Sequence, residues 1–452
     1  MNYLTDLTDD WIEFEKLTET IPLEAEQLDQ ALELSDPIGN EARKWQVYLQ
    51  VLALLSFEEW LQQREPEICV NRERSSVFQP QYANALDAVC NLNIGEFMVC
   101  LIPTISFSDE EVTVPRAVID LPEFTAHFYV VIGIEEELEV AAIRGFLRHD
   151  QLMNYQPQLQ AEADWTYQLP LAWFNREPDE LLLYLQCLEP TVIPLPEIPT
   201  NRQATLARMQ AALLTLLPQL RNRPLWQVLT WEQGAAVLTT PDLLNWLYPS
   251  LTENAADFTN HLSDLLQILT QQAVNVRHWL RNQMDEVMQE LSWEVLPAPS
   301  PLRGTEPIIE LLVPFPLRRT EQNPTRDLDE ILTEISRTHE LEIPASAGRA
   351  YRDLTLGSRL RLYAVTWSLP DDDGWTLLLI LKAISGNEPL YEMTLRVSDQ
   401  TDVLAEESLQ DDSNHDYVFT QVAGSYEDKF LATITFASGE VQTLPPFEFP
   451  RE

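Results

Sequence analysis

The sequence of 452 residues predicts an α+β multidomain protein. Three observations lead to this fold class. Near the N-terminus, apolar residues recur three and four positions apart, as in helices. A region of period-two alternation follows, as in strands, and short β-branched runs separated by turn residues fill the end of the chain. We therefore expect N-terminal helices with a small antiparallel β-meander or barrel, a helical middle and a C-terminal antiparallel β-sandwich.

The N-terminal α+β domain is predicted over residues 1–190. Its strongest helix spans residues 40–64, because Trp45, Leu49 and Leu52 fall on one helical face. After this helix the period of the apolar residues changes to two, which predicts a five-stranded meander packed on the helices. The predicted strands are at 88–92, 96–103, 112–119, 126–135 and 139–147.

A helical domain is predicted over residues 200–293. Linkers near 190–199 and 297–325 bound this domain, since their prolines deny the chain both helix continuation and strand hydrogen bonds. Over 258–291 the apolar residues advance in steps of four, three and four, which predicts one long helix packed in a helix–helix core. A break at Asn275 is left open, because asparagine caps helices better than it continues them.

The C-terminal β-sandwich is predicted over residues 340–452, after a helix at about 326–337. Turn signals such as Asp373-Gly374 separate short runs of β-branched and aromatic residues, and such spacing is typical of sandwiches. The predicted strands are at 359–368, 375–384, 390–398, 402–408, 415–423, 429–437 and 440–449.

The net charge of −43 bears on the class of partner. Nucleic acids and anionic lipids are bound by Lys and Arg that displace counterions, so we expect no direct contact with either. Residues 197–306 are nearly balanced, with 7 basic and 11 acidic side chains. Two interpretations of the acidic surface stay open: it keeps the protein soluble by like-charge repulsion, or it attracts a basic partner.

The spacing of glycines excludes the glycine-rich nucleotide sites. The chain has only 12 glycines, and the closest two, Gly348 and Gly357, are nine positions apart. A dinucleotide fingerprint, a P-loop and a nucleophile elbow all need glycines closer together, because the backbone must approach the ligand or turn sharply. We therefore expect no cofactor.

Metal-ligating patterns are also missing from the sequence. The four cysteines show no C-x-x-C spacing, and a reducing cytoplasmic compartment suits them best. The acidic runs fall at predicted strand connections and lack the spacing of a calcium loop, so we expect no metal site. These runs are Asp109–Glu111, Glu135–Glu137, Asp371–Asp373 and Asp411–Asp412.

The sequence shows neither the basic N-terminal region that is typical of a secretory signal nor an apolar run long enough for a membrane span. We expect a cytoplasmic protein.

Five stretches across the chain are distinctive in combination: Phe124–Leu152, Leu229–Tyr248, Asn275–Pro297, Ala347–Pro370 and Tyr426–Phe449. Together they resemble an uncharacterised cyanobacterial family known as domain of unknown function 1822. The resemblance spans nearly the whole chain and implies a cyanobacterial cytosolic protein of unassigned function. No catalytic residues are defined for that family, so none is transferred.

Tryptophans are the candidate partner-binding residues, since tryptophan is enriched at the energetic centres of interfaces, although a buried core is its commoner location. The tryptophans considered are Trp226, Trp231, Trp246, Trp279, Trp293, Trp367 and Trp375. The selected candidates are Trp231, Trp246, Trp279, Trp367 and Trp375.

Three functions are consistent with the sequence. The first is a non-enzymatic interaction or regulatory protein with a protein partner, because no catalytic signature is assembled locally. The second is a hydrolase whose carboxylates come from separated segments, and a deep pocket that joins His149 to such carboxylates would favour it. The third is an acidic decoy that sequesters a basic nucleic-acid-binding protein. The first is the one we select.

Overall fold

The chain divides into two compact units, Met1–Ala256 and Asp257–Glu452, in a computed structural model. The helices that we predicted as one middle domain are shared between these units, and the three-domain division stays a prediction. The residues that the structure describes are 20–220, 223–252, 258–297, 323–356, 358–370, 374–384, 393–408, 416–436 and 438–451.

The long helix of the first unit begins where the Asn40 side chain accepts hydrogen bonds from the backbone N–H groups of Ala42 and Arg43. This cap satisfies donors that the first helical turn leaves free. The helices of this unit are α1 (Ala25–Ser35), α2 (Glu41–Arg64), α3 (Pro80–Ala83), α4 (Ala117–Asp120), α5 (His149–Tyr155), α6 (Pro178–Cys187), α7 (Arg202–Leu216), α8 (Trp231–Leu238) and α9 (Pro241–Thr252).

Residues of α2 pack on a six-stranded sheet with the order β1-β7-β6-β4-β3-β2. β4 and β6 are parallel, with Val99 opposite Phe128. The predicted meander would be antiparallel throughout. The difference arises because the chain crosses over between these two strands, and β5 leaves the sheet to pair with β8 as a separate ribbon. The strands are β1 (Ile21–Pro22), β2 (Val70–Asn71), β3 (Val89–Ile94), β4 (Phe97–Thr104), β5 (Glu111–Pro115), β6 (Phe128–Glu135), β7 (Val140–Arg148) and β8 (Thr166–Pro170).

The second unit begins with α10 (Phe258–Thr270). The prediction of one helix over 258–291 is wrong, because β9 (Val274–Asn275) follows α10 and pairs in parallel with β19 (Phe447–Glu448). The break that we left open does occur at Asn275, whose side chain accepts a hydrogen bond from the N–H of Arg277 and caps a short 3-10 helix. The helix does not continue because Val274, Val276 and Trp279 are buried in the core of the β-sandwich.

Two antiparallel sheets enclose the core of the second unit, with the orders β10-β11-β12-β13-β16 and β15-β14-β17-β18. The predicted α+β class is therefore confirmed. β11 was not predicted, because charged residues such as Arg352 and Asp353 interrupt its apolar pattern. The strands are β10 (Glu294–Leu296), β11 (Gly348–Leu356), β12 (Ser358–Ser368), β13 (Trp375–Ala383), β14 (Thr394–Ser398), β15 (Val403–Ser408), β16 (Tyr417–Gly424), β17 (Leu431–Thr435) and β18 (Val441–Thr443).

A helix covers the other face of the five-stranded sheet. After α11 (Glu286–Glu290), α12 (Pro324–His339) packs its apolar face on this sheet. Asp327 accepts hydrogen bonds from the Lys382 ammonium at 2.7 Å and from the Tyr363 hydroxyl at 2.6 Å. These two contacts connect the start of α12 to β12 and β13.

Of the helices in the described ranges, none combines the length and the apolar character that crossing a bilayer requires.

Candidate binding cavity

A concave cavity of about 490 Å³ lies within the first unit. Its walls come from the start of α2, the loop after α3, the β5–β8 ribbon, the turns after α7, and helices α8 and α9. The volume falls within the roughly 300–1,000 Å³ that is usual for preformed ligand sites. Its aromatic lining residues are Trp165, Trp226, Trp231 and Tyr248.

Trp165 reaches the cavity from a backbone conformation that is unusual for a bulky residue. Its φ is +62°, in the left-handed region, just before β8. The Trp165 carbonyl accepts a hydrogen bond from the N–H of Arg116 at 2.8 Å, which continues the β5–β8 ribbon and fixes the residue. A left-handed conformation costs a residue with a Cβ about 1–2 kcal/mol, and such strain occurs preferentially at binding and catalytic sites.

Gly234 provides the space that the Trp165 indole occupies. This glycine lies inside α8, where glycine is less favourable than alanine by about 1 kcal/mol. A Cβ built on Gly234 would overlap the Trp165 ring. The left-handed backbone of Trp165 and the glycine inside α8 are each locally unfavourable. Both are needed to place the Trp165 indole at the cavity wall.

Trp231 stands at the first position of α8, which the Thr230 hydroxyl and the Gln233 side chain cap reciprocally. Its ring meets that of Trp165 edge to face, with centroids 5.5 Å apart. The Arg116 guanidinium lies 4.2 Å from the centroid of the Trp231 ring. The same guanidinium donates to the Asp120 carboxylate at 2.6 Å. Arginine is thus already bound here between an indole and a carboxylate.

The charged lining residues are two arginines and two aspartates, so the cavity is balanced within a strongly acidic protein. Arg43 donates to Asp87 at 2.5 Å. Asp164 accepts a hydrogen bond from the Thr166 hydroxyl at 2.7 Å. In each aspartate only Oδ1 is engaged, and Oδ2 has no hydrogen-bond donor in the described part of the chain.

Two side chains at the cavity are notable for their exposure. Trp226 is 39% exposed, in a short 3-10 turn that follows Pro224. Arg223, also exposed, makes no side-chain hydrogen bond or ion pair with any residue that the structure describes. These two residues therefore offer a partly exposed indole and a positive charge that has no counter-ion in the described part of the chain.

Burial restricts which of the predicted tryptophans a partner can reach. Trp231 is half-buried and lines the cavity. Trp246, Trp279, Trp367 and Trp375 are at most 7% exposed and belong to the packed interiors of the two units. Their role in partner binding stays a prediction, and the structure buries their side chains almost completely. Trp226, considered but not selected, is the exposed one.

His149 lies away from the cavity, and its surroundings do not form a catalytic dyad. Its Nδ1 is 3.4 Å from the Tyr129 hydroxyl, which donates at 2.8 Å to the Val118 carbonyl. The neighbouring Asp150 carboxylate is bound through both oxygens by Arg148, at 2.9 and 2.7 Å. Burial lowers the pKa of His149 below its usual value. The ring is buried and has no carboxylate to orient it among the residues that the structure describes.

No cluster of three or more His, Cys, Asp or Glu side chains with the arrangement of a metal site occurs within the described ranges. Two of the acidic runs singled out in the sequence, Asp371–Asp373 and Asp411–Asp412, lie outside these ranges.

Sequence reasoning missed Trp165, Arg223 and the role of Gly234. One signal was present: a glycine within a helix-forming stretch indicates close packing against a neighbour. The identity of that neighbour depends on a contact between residues 165 and 234, far apart in the chain. Local spacing does not carry that information.

Comparison with known proteins gives one positive finding. The model of the family described as "Protein of unknown function (DUF1822)" matches residues 21–442. No curated protein and no solved structure matches the chain. Because the match covers nearly the whole sequence, the chain belongs to the DUF1822 family.

Proposed function

We propose that this protein is a non-enzymatic interaction protein of the cytoplasm, whose protein partner inserts a side chain into the tryptophan-lined cavity of the first unit. The exposed indole of Trp226 beside a preformed concave site carries the proposal. Energetic centres of interfaces combine an aromatic anchor with a pocket that excludes water. Because the aromatic walls are already in place, a partner would not have to order them on binding.

The rigidity of the cavity wall supports binding rather than simple core packing. Trp165 and Trp231 are held by backbone hydrogen bonds, a capped helix and a cation–π contact. Keeping Trp165 in a left-handed conformation has a cost that a core residue could avoid. A wall that is already ordered lowers the cost of binding, and strained residues cluster at binding sites.

Site-specific photo-crosslinking tests the proposal on the full chain. A benzophenone amino acid replaces Trp226 and, as a matched control in the same unit, Leu138, which is 60% exposed and does not line the cavity. We expect a discrete covalent adduct from the Trp226 position in cells of the source organism. Equal labelling from both positions, or none from either, would contradict the proposed function.

A further inference from the structure

We infer that the side chain entering the cavity is an arginine, presented by a basic segment of the partner protein. This inference rests on the proposed function and specifies the chemistry of the partner. It requires that the cavity bind a guanidinium and that the surrounding field favour a basic segment over a neutral or acidic one.

The partly exposed indole of Trp226 suits a guanidinium. Tryptophan is the strongest cation–π acceptor among the side chains, and arginine is its most frequent partner. The protein uses this pairing next to the cavity, where Arg116 lies 4.2 Å from the centroid of Trp231. Every cation–π contact in the described ranges involves arginine.

The two aspartates of the cavity supply acceptors for the same group. Arg116 combines the Trp231 face with the Asp120 carboxylate. Asp87 and Asp164 line the cavity, and Oδ2 of each has no donor in the described ranges, whereas Oδ1 of each is engaged within the protein. Charge-assisted hydrogen bonds from a planar guanidinium fit such oxygens in geometry and in strength.

The field of the whole molecule favours a basic segment. With 72 acidic and 29 basic side chains, the surface attracts positive charge at long range and raises the rate of encounter. This attraction alone gives no specificity. Specificity would come from the tryptophan-lined cavity, where one guanidinium of the segment finds both an indole and carboxylates.

Arg223 is the one lining group that opposes an incoming cation, because it is exposed and lacks a counter-ion in the described ranges. Removing the Arg223 charge therefore strengthens the binding of a basic segment and weakens the binding of an acidic one. Removing the Asp164 charge has the opposite effect in each case.

The experiment selects binders to the full chain from a random peptide library. The strongest peptide is then compared with a copy in which citrulline, which is neutral and nearly isosteric, replaces its arginine. Calorimetric titrations use the wild type and the variants Trp226→Leu, Asp164→Asn and Arg223→Ala, with Leu138→Ala as the control. The measurements are repeated at low and high salt.

We expect arginine-rich peptides. Citrulline and Trp226→Leu should each weaken binding roughly tenfold, as the loss of a partly desolvated cation–π contact implies. Asp164→Asn should weaken binding about twofold to fivefold, and Arg223→Ala should strengthen it by a similar factor, the size of an exposed charge interaction. Added salt should reduce all affinities, and Leu138→Ala should have no effect.

The other outcomes separate the two claims. Peptides that depend on Trp226 but tolerate citrulline would retain the proposed function and overturn the arginine inference. Acidic peptides that lose affinity in Arg223→Ala would also overturn it. If Trp226→Leu leaves the affinity of the selected peptides unchanged, the cavity is not their binding site. Both the proposed function and the arginine inference would then be wrong.

Discussion

Replacing Gly234 by alanine tests whether the cavity wall depends on the fit between α8 and Trp165. Helix propensity alone predicts that Gly234→Ala is stabilising by about 1 kcal/mol, because alanine loses less backbone entropy on folding. The structure predicts the opposite sign. The new methyl group would overlap the Trp165 indole, well inside the 3.0 Å that real Cβ contacts respect.

The magnitude follows from these two opposing effects. Overpacking a well-filled site costs about 1–3 kcal/mol, since neighbours must leave their preferred rotamers. Subtracting the gain of about 1 kcal/mol from propensity leaves a net destabilisation of up to about 2 kcal/mol. When Trp165→Ala is already present, the three indole atoms nearest to the new methyl group are gone, and Gly234→Ala should stabilise by about 1 kcal/mol.

A double-mutant cycle measures this coupling in the full chain. Hydrogen exchange of the backbone amides of α8 reports the local opening free energy of this part of the first unit, without assuming that both units unfold together. The two single variants, the double variant and the wild type give a coupling energy, which we expect at about 1–3 kcal/mol.

The reasoning is refuted if Gly234→Ala slows hydrogen exchange across α8 as much in the wild-type background as in the Trp165→Ala background. In that case the indole does not press on position 234. Gly234 would then only lower the helix propensity of α8, and it would not be needed to accommodate Trp165.

Two further predictions concern buried polar groups. Asp327→Ala should lower the free energy of unfolding, measured by urea titration, by about 2–3 kcal/mol. Breaking a fully buried ion pair costs about 3–5 kcal/mol. We expect a smaller loss here because the Asp416 carboxylate remains 3.5 Å from the Lys382 ammonium. Burial lowers the pKa of both His127 and His149, so the unfolded chain binds more protons below pH about 6.5. Stability, followed by thermal unfolding, should therefore fall as the pH decreases below that value, by up to about 1.4 kcal/mol per pH unit for each histidine.

Matched variants make these two predictions refutable. Asp327→Ala combined with Lys382→Met should recover part of the loss, because no ammonium is then left without its main counter-ion. Asp327→Ala alone without effect would show that the pair contributes nothing. His149→Asn should flatten the dependence on pH below about 6.5, and an unchanged slope would place its origin in other groups.

Elements with both a strong period and clear ends were predictable. The helix predicted at 40–64 is observed as Glu41–Arg64, because Asn40 supplies a cap and the following turns are buried throughout Val47–Phe57. The expected buried position of Trp45 is wrong, since it is 42% exposed. The helix predicted at 326–337 is observed as Pro324–His339. In the sandwich, turn residues marked the strand ends, and most of the predicted strands lie within a few residues of the observed ones.

Tertiary pairing explains the elements that were missed. The apolar stripe over 258–291 has a helical period, yet Val274 is buried in a parallel pair opposite Phe447 and does not continue a helix. Likewise, β11 lies between β10 and β12 although charged side chains interrupt it. In both cases the deciding partner is distant in sequence, and no local pattern identifies it.

The cavity shows which sequence features can reveal a site before a structure is known. Residue type did not separate the tryptophans, since Trp226 is 39% exposed and Trp375 fully buried. What distinguishes the cavity wall is a conflict with local preference: a glycine within a helix, and a tryptophan in a left-handed turn. Such conflicts persist only where the surrounding structure imposes them, and binding sites are where that occurs most often. Gly234 carried that signal in the sequence, because alanine would otherwise be favoured at its position.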